Sequence, residues 1–288
     1  MAERKRIDEP TGTETVGHEW DGIEELDTPM PRWWLWTLYA TIAWAVVYTV
    51  LYPAWPMISS ATAGTVGWSS RAQLDAEMKA EANRKRPVEL ALAQIPIERL
   101  PEDSKLLNAA VQGGAAAFKV NCVQCHGSGA AGTKGYPNLN DDDWLWGGDL
   151  QSIQTTIAHG IRFDGDGESH VSEMPAFADT LDPTQTKQVA AYVWGLTNKP
   201  SDPALAEAGR QLFLDNCAAC HGEDGKGKVD MGAPDLADAI WLKSKGEEAI
   251  ARQIAAPKHG VMPAWASRLG EATVKELTVF VHSLGGGT

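Results

Sequence analysis

The sequence contains few cysteines, and its basic residues are outnumbered by acidic ones. Of 288 residues only 4 are Cys, and 25 Lys and Arg stand against 38 Asp and Glu, which gives a formal net charge of −13. With 4 Cys, 28 Gly and 16 Pro, the composition excludes disulfide-dense, collagen-like and low-complexity chains. An acidic chain disfavours nucleic-acid binding, because that function needs basic side chains against phosphates. The charge instead fits a basic protein partner.

Charge is absent from one long stretch near the N-terminus. No Asp, Glu, Lys, Arg or His occurs from residue 33 to 70. Residues 33–57 are long and apolar enough for one transmembrane helix, which needs about 20 residues. Aromatic residues at both ends match the two membrane interfaces, and Pro53 and Pro56 are expected to end the helix. A buried core helix and a cleaved signal peptide are the disfavoured alternatives.

Basic residues predict how this span is oriented. Arg4, Lys5, Arg6 and Arg32 precede it, whereas the first basic residue after it is Arg71. An excess of Lys and Arg marks the cytoplasmic side, so the N-terminus is expected in the cytoplasm. The remainder of the chain is then expected on the opposite, non-cytoplasmic side of the membrane.

All four cysteines fall in two copies of one short motif. Cys122, Cys125 and His126 form C-x-x-C-H, and the motif recurs 95 positions later. This is the attachment signature of c-type haem, in which both thiols bind the porphyrin and the adjacent His binds the iron. Two disulfides or a zinc site fit less well, because neither explains the His directly after the second Cys. The motifs predict two covalent haem groups on Cys122, Cys125, Cys217 and Cys220, with His126 and His221 as proximal ligands.

The two motifs belong to an internal repeat. FKVNCVQCHG recurs as FLDNCAACHG, and each copy continues to a Met-Pro-Ala-aromatic-Ala segment and an amphipathic terminal helix. The first terminal helix is expected to begin with Asp182 as N-cap and Pro183 in its first turn. Ahead of the repeats, the charged residues 71–104 predict one solvated helix to about Arg86 and then a tether. The predicted organisation is a tail 1–32, a span 33–57, a linker 58–104 and two haem domains, 105–200 and 201–288.

Each haem iron needs a second axial ligand. Met174 and Met262 follow the motif histidines by 48 and 41 residues, and each is followed by Pro. A thioether ligand raises the reduction potential, which suits a relay feeding an oxidising acceptor. His159 and His259 are also paired in the repeat and remain alternatives that would lower the potential.

The order of elements resembles the class I cytochrome c fold in tandem, over residues 105–288. The predicted fold is mainly α, with one N-terminal transmembrane helix and these two domains. Pro137 and Pro234 follow the motif histidines by 11 and 13 residues. Their loops look like the cytochrome c loop whose Pro carbonyl accepts a hydrogen bond from Nδ1–H of the proximal His. An ordinary turn proline is the alternative.

The N-terminal segment carries a more specific resemblance. His18, Asp21-Gly22-Ile23, the Pro29–Pro31 turn, Trp33-Trp34 and Tyr52-Pro53 look like the segment that marks the CcoP/FixP subunit of cbb3-type cytochrome c oxidases. The resemblance covers the whole chain. It implies an inner-membrane subunit that takes electrons from a donor cytochrome c or from quinol–cytochrome c reductase. A monohaem cytochrome c subunit would then pass them to the catalytic haem–copper subunit, which reduces oxygen.

The resemblance also implies that this chain has no catalytic site, because both irons would be six-coordinate. Crossed ligation, with Met174 and Met262 each capping the haem of the other domain, is a further hypothesis that the sequence leaves open. Two alternatives share the haem motifs. One is a free-standing, membrane-tethered dihaem electron shuttle, and the other is a dihaem peroxidase-like enzyme, against which the paired Met-Pro segments argue.

Overall fold

The protein is described by a computed structural model that covers residues 5–243 and 245–286. Arg4 of the orientation argument lies outside the described residues. The chain divides into two compact units, Met1–Asn83 and Arg84–Thr288. As predicted, the fold is mainly helical. The α-helices are α1 Arg32–Leu51, α2 Ser70–Gln94, α3 Ser104–Asn121, α4 Val123–His126, α5 Leu150–His159, α6 Pro183–Gly195, α7 Pro203–Asn216, α8 Ala218–His221, α9 Glu247–Ala255, α10 Ala266–Leu269 and α11 Glu271–His282, with 3-10 turns at Ile97–Glu102 and Val229–Met231.

The first unit begins with a β-hairpin that the sequence analysis did not predict. Strands β1 (Thr15–Trp20) and β2 (Ile23–Leu26) pair antiparallel, with Trp20 opposite Ile23. Asp21 and Gly22 form the turn with φ angles of +48° and +86°. Two positive φ angles characterise the type I′ turn, for which Asp-Gly is a preferred sequence. The Asp-Gly dipeptide was therefore the signal that could have predicted the hairpin.

Helix α1 is the candidate membrane span. It has 20 residues, of which an 18-residue stretch has a mean hydropathy of 1.5, and among the described residues it is the one helix long and apolar enough to cross a membrane. The backbone becomes extended at Tyr52, directly before Pro53, which cannot donate a helical hydrogen bond. The helix therefore covers less of the chain than the predicted span 33–57, because it ends ahead of both prolines.

Helix α2 continues beyond the proline that was expected to end it. The prediction of a helix to about Arg86 was wrong, because the helix includes Pro87 and ends at Gln94. Within the second unit, Leu92 is fully buried. The Nζ of Lys275 donates hydrogen bonds to the carbonyls of Leu92, Ala93 and Ile95 at 2.8–3.1 Å. These contacts at the C-terminus offset the local cost of the proline, as tertiary packing often does.

The helices of the two repeats exchange their partners. Helix α3 of the first repeat packs on α11, the last helix of the second repeat, and α7 of the second repeat packs on α6 of the first. Both crossings are tight at a glycine. A side chain at Gly114 would clash with the backbone at Glu276, and one at Gly209 would clash with the backbone at Gln188. The two packing modules therefore each combine segments of both sequence repeats.

The apolar cores follow this exchange. One core joins Phe118 of α3 and Ile157 of α5 to Leu277 of α11. The other joins Val189 of α6 to Phe213 of α7 and to α9. The α6 start matches its prediction: Asp182 caps the helix, Pro183 lies in its first turn, and Gln185 completes a capping box.

Candidate functional site

The first C-x-x-C-H motif lies where α3 meets α4. Cys122 ends α3, with its N–H donating to the Phe118 carbonyl at 2.9 Å. The next turn, α4, then carries Cys125 and His126, so both thiols and the imidazole lie within one helical turn. Gly127 ends this turn with a φ of +78°, a conformation that glycine adopts readily.

The second motif repeats this geometry. Cys217 ends α7, Cys220 and His221 lie on α8, and Gly222 ends the turn with a φ of +78°. Burial raises the pKa of the Cys217 thiol to about 11, and that of Cys122 likewise. All four cysteines are free, as covalent attachment of haem to both pairs requires.

Each motif histidine is oriented by a proline carbonyl. His126 Nδ1 lies 3.1 Å from the Pro137 carbonyl oxygen, and His221 Nδ1 lies 3.2 Å from that of Pro234. These contacts confirm the predicted hydrogen bonds. Because a carbonyl only accepts, Nδ1 carries the proton and Nε2 keeps its lone pair for a metal. Burial also lowers the pKa of both imidazoles, which favours the neutral form that binds iron.

The loops that carry these prolines fold alike. The Gly132 N–H donates to the His126 carbonyl at 2.8 Å, and the Gly227 N–H donates to the His221 carbonyl at 2.7 Å. Both glycines have positive φ angles, and a side chain on either would clash with the backbone at the neighbouring proline. Each loop therefore needs its glycine to bring the proline carbonyl to the histidine.

Met262 lies with the first motif, although it belongs to the second repeat. It packs against the core that contains Phe118, together with Cys122. Its backbone exchanges two hydrogen bonds with Ile161 of the first repeat, at 2.9 and 3.0 Å. The preceding Gly160 has a φ of +75°, and a side chain there would clash with the Met262 carbonyl.

Met174 lies with the second motif, although it belongs to the first repeat. It packs against the core formed by α6, α7 and α9. A cavity of about 920 Å³ is lined by Met174 together with Cys217, Cys220 and His221. The second C-x-x-C-H motif thus faces the methionine of the other repeat.

His159 and His259, the alternative sixth ligands, each contact an oxygen atom of another residue. His159 Nδ1 lies 3.1 Å from a carboxylate oxygen of Asp166. His259 Nε2 lies 3.1 Å from the main-chain carbonyl of Met174, so this nitrogen is engaged in holding the methionine segment. These contacts favour the methionines over the histidines as the sixth ligands.

The residues present fit a covalently bound haem. Each module offers two free thiols, an imidazole held by a carbonyl and a thioether, and in the second module these groups line a cavity together with apolar and charged side chains. Thiols for attachment and His and Met for the iron are the donor set of cytochromes c. A zinc site would use the thiols themselves as ligands.

Two family profiles match most of the chain. The profile described as the N-terminal domain of cytochrome oxidase-cbb3, FixP, matches residues 12–59. The profile described as cytochrome C oxidase, cbb3-type, subunit III, matches twice, at 109–193 and 204–281. The chain belongs to the FixP/CcoP family of cbb3-type cytochrome c oxidase subunits.

Individual members of this family align over the full chain. The FixPc subunit of Rhizobium leguminosarum bv. viciae is 67% identical over 99% of both chains. FixP of Rhizobium meliloti is 57% identical over 100% of both chains, and CcoP of Cereibacter sphaeroides is 50% identical over 100% of both. Membership in the FixP/CcoP family confirms a c-type haem subunit of an oxidoreductase complex, which has partner subunits, and the two tandem cytochrome c domains.

Some residues at the site were missed by the sequence analysis. Arg162 donates hydrogen bonds to both methionine-bearing segments, at Gly260 and at Ser172. Trp146 stacks on His170 with ring centroids 4.1 Å apart. The repeat comparison could not find these residues, because neither Arg162 nor His170 has a counterpart in the second repeat.

Proposed function

We propose that this chain is the electron-entry subunit of its cbb3-type oxidase. It accepts electrons from a donor cytochrome c or from quinol–cytochrome c reductase. It passes them through a monohaem cytochrome c subunit to the catalytic haem–copper subunit that reduces oxygen. The observation that carries this proposal is the pair of C-x-x-C-H motifs, each with its histidine held by a proline carbonyl and each facing a methionine. The net charge of −13 favours docking of a basic donor.

Two haem c groups are proposed per chain. Cys122 and Cys125 hold one group, and Cys217 and Cys220 hold the other. When bound, each haem supplies an iron that can accept and release one electron. The protein sets the reduction potential of this iron through the axial ligands, the hydrogen bonds to them and the burial of the site.

The packing of the two methionines supports crossed axial ligation. We assign His126 and Met262 to the first haem, and His221 and Met174 to the second. The support is that Met262 packs beside Cys122, whereas Met174 lines one cavity with His221. A neutral thioether stabilises the reduced iron and so raises its potential.

The same ligand sets argue against catalysis on this chain. With a His and a Met on each iron, no coordination position stays open for a substrate. The apolar cores at each motif limit the access of water, and the proline carbonyls keep the imidazoles in their binding orientation. Both features suit electron transfer and leave the reduction of oxygen to a partner subunit.

We place the chain in the bacterial inner membrane, anchored by α1. Lys5 and Arg6 lie before this helix and Arg32 is its first residue, whereas the next basic residue after it is Arg71. This distribution supports a cytoplasmic N-terminus. Both haem domains would then be in the periplasm, where an oxidase could meet its donor.

The proposal is tested by purifying the complex through an affinity tag on this chain. The detergent eluate is examined by pyridine haemochrome spectra, copper analysis and oxygen uptake with reduced cytochrome c, beside an untagged strain as control. Two c-type haems per tagged chain, with haem b, copper and oxygen uptake in the same eluate, are the expected result. Two c-type haems alone, without oxygen uptake, would instead indicate a free-standing dihaem shuttle.

A further inference from the structure

Arg162 connects the two segments that carry the methionines. Its Nε donates to the Gly260 carbonyl at 2.8 Å, and its Nη1 donates to the Ser172 carbonyl at 2.8 Å. Gly260 precedes Met262 by two residues, and Ser172 precedes Met174 by two residues. One guanidinium group therefore binds the equivalent position of both segments.

The backbone of Arg162 is held in a conformation that arginine rarely adopts. Its φ is +51°, in the left-handed region that disfavours side chains with a Cβ. Its N–H donates to the His170 carbonyl at 2.6 Å. Strain of this kind persists where the surrounding structure requires it, and it often marks a functional position.

Lys243 brings a second cation to the same cavity. Its Nζ donates to the Lys258 carbonyl at 2.8 Å, and both Lys243 and Arg162 line the cavity that contains Cys217 and His221. Burial lowers the pKa of both cations, and the charge of Arg162 lowers that of Lys243 further. Both groups meet at Gly260, because Arg162 donates to its carbonyl and a side-chain carbon there would lie 3.6 Å from the Lys243 Nζ.

A matching carboxylate is not in contact with these cations. Within residues 5–243 and 245–286, the ion pairs closer than 4.0 Å include neither Arg162 nor Lys243. Glu173 exerts a weaker, opposing effect on the pKa of Arg162. Partly buried cations are stabilised by an anion at close range, and the haem that this cavity fits carries two propionate carboxylates.

We propose that Arg162 is a positioning residue for both axial methionines. We further propose that Arg162 and Lys243 together bind a propionate carboxylate of the haem attached to Cys217 and Cys220. The proposal rests on the haem occupancy and the methionine ligation proposed above. A forked guanidinium suits the first role, because it can hold two carbonyls and still present an N–H to a carboxylate.

The test compares Arg162→Gln, Arg162→Lys and Lys243→Gln in the full chain with both haems attached. Haem content is measured first. The two midpoint potentials are then measured by spectroelectrochemical titration, together with the red charge-transfer band that marks methionine bound to ferric haem. Lys199→Gln removes an exposed positive charge outside the cavity lining and serves as the control.

Arg162→Gln is expected to weaken the methionine band of both haems and to lower both potentials. Lys243→Gln is expected to lower only the potential of the haem on Cys217 and Cys220, with the band retained, because a cation near a carboxylate favours the reduced, less positive centre. Compared with Arg162→Gln, Arg162→Lys is expected to restore part of the potential of the haem on Cys217 and Cys220, because it keeps the positive charge. It is not expected to restore the methionine band, because Lys lacks the forked guanidinium that binds both carbonyls. Lys199→Gln is expected to change neither measurement.

Several outcomes would overturn the inference. Unchanged bands in Arg162→Gln exclude the positioning role, and a change confined to one haem excludes the shared role. An unchanged potential in Lys243→Gln excludes the carboxylate site, and this variant remains informative if Arg162→Gln fails to fold. If the unmodified chain lacks the methionine band, the ligand set of the proposed function fails. If the band is present and the variants do not alter it, only this inference fails.

Discussion

Ile161 and Met262 exchange both of their backbone hydrogen bonds, although 101 positions separate them in the chain. The Ile161 N–H donates to the Met262 carbonyl at 2.9 Å, and the Met262 N–H donates to the Ile161 carbonyl at 3.0 Å. This pairing fixes the methionine segment of the second repeat on the end of α5 in the first. It holds Met262 of the second repeat beside the motif of the first, as the proposed crossed ligation requires.

Gly160→Ala tests this contact. The new methyl group would clash with the Met262 carbonyl, and φ at Gly160 is +75°, so the substitution should cost about 1–3 kcal/mol. We expect the haem on Cys122 and Cys125 to lose its methionine band and to shift to a lower potential. Gly167→Ala is the matched control, because its side chain would meet no neighbouring atom. An unaltered spectrum in Gly160→Ala would show that this contact does not position Met262.

Lys275→Met tests the contacts that the C-terminal end of α2 makes within the second unit. The Lys275 side chain is only 5% exposed, and its loss leaves the three carbonyls at the end of α2 without their donor. We expect a loss of about 2–4 kcal/mol in stability, seen as a melting temperature lower by several degrees in circular dichroism. Lys79→Met, which removes an exposed i,i+4 ion pair, should cost less than about 0.5 kcal/mol. Equal melting temperatures for the two variants would contradict this account.

Asp143 should make stability depend on pH. Burial raises its pKa from an ordinary 3.8 to about 6, and the carboxylates of Asp238, Asp141 and Asp235 add to the rise. Between these two values the folded chain binds more protons than the unfolded chain. The contribution of Asp143 therefore lowers stability as pH rises through this window.

The Asp143→Asn variant removes this contribution. Its melting temperature relative to the unmodified chain should increase from pH 4 to pH 7, and Asp142→Asn, at the exposed neighbouring position, is the control. A constant difference between Asp143→Asn and the unmodified chain across this range would exclude Asp143 as the titrating group.

Local sequence features predicted local structure well. The adjacency within Cys122, Cys125 and His126 specifies one helical turn, and the spacing to Pro137 specifies the loop that returns a carbonyl to the imidazole. The cap at Asp182 and its proline likewise set the start of α6. In each case the interacting groups lie within 11 positions, where few backbone conformations compete.

The features that sequence reasoning missed depend on distant contacts. Met174 and Met262 follow their motifs at similar spacings, so spacing alone does not show which motif each methionine meets. The structure distinguishes the two methionines by their contacts. Met262 contacts Ile161 and Gly160 in one module, and Met174 lines the cavity of the other. Likewise, Pro87 predicts that the helix ends there. The helix continues, and its end is held by hydrogen bonds from the buried Lys275, which is distant in the sequence.

Crossed ligation is tested most directly in a chain that carries one haem. In the Cys217→Ser/Cys220→Ser background, only the haem on Cys122 and Cys125 remains. We predict that Met262→Ala abolishes its methionine band and that Met174→Ala, the matched control, leaves the band intact. The reciprocal Cys122→Ser/Cys125→Ser background should reverse these roles. Loss of the band with Met174→Ala and its retention with Met262→Ala, in the first background, would contradict the exchange of ligands between the repeats.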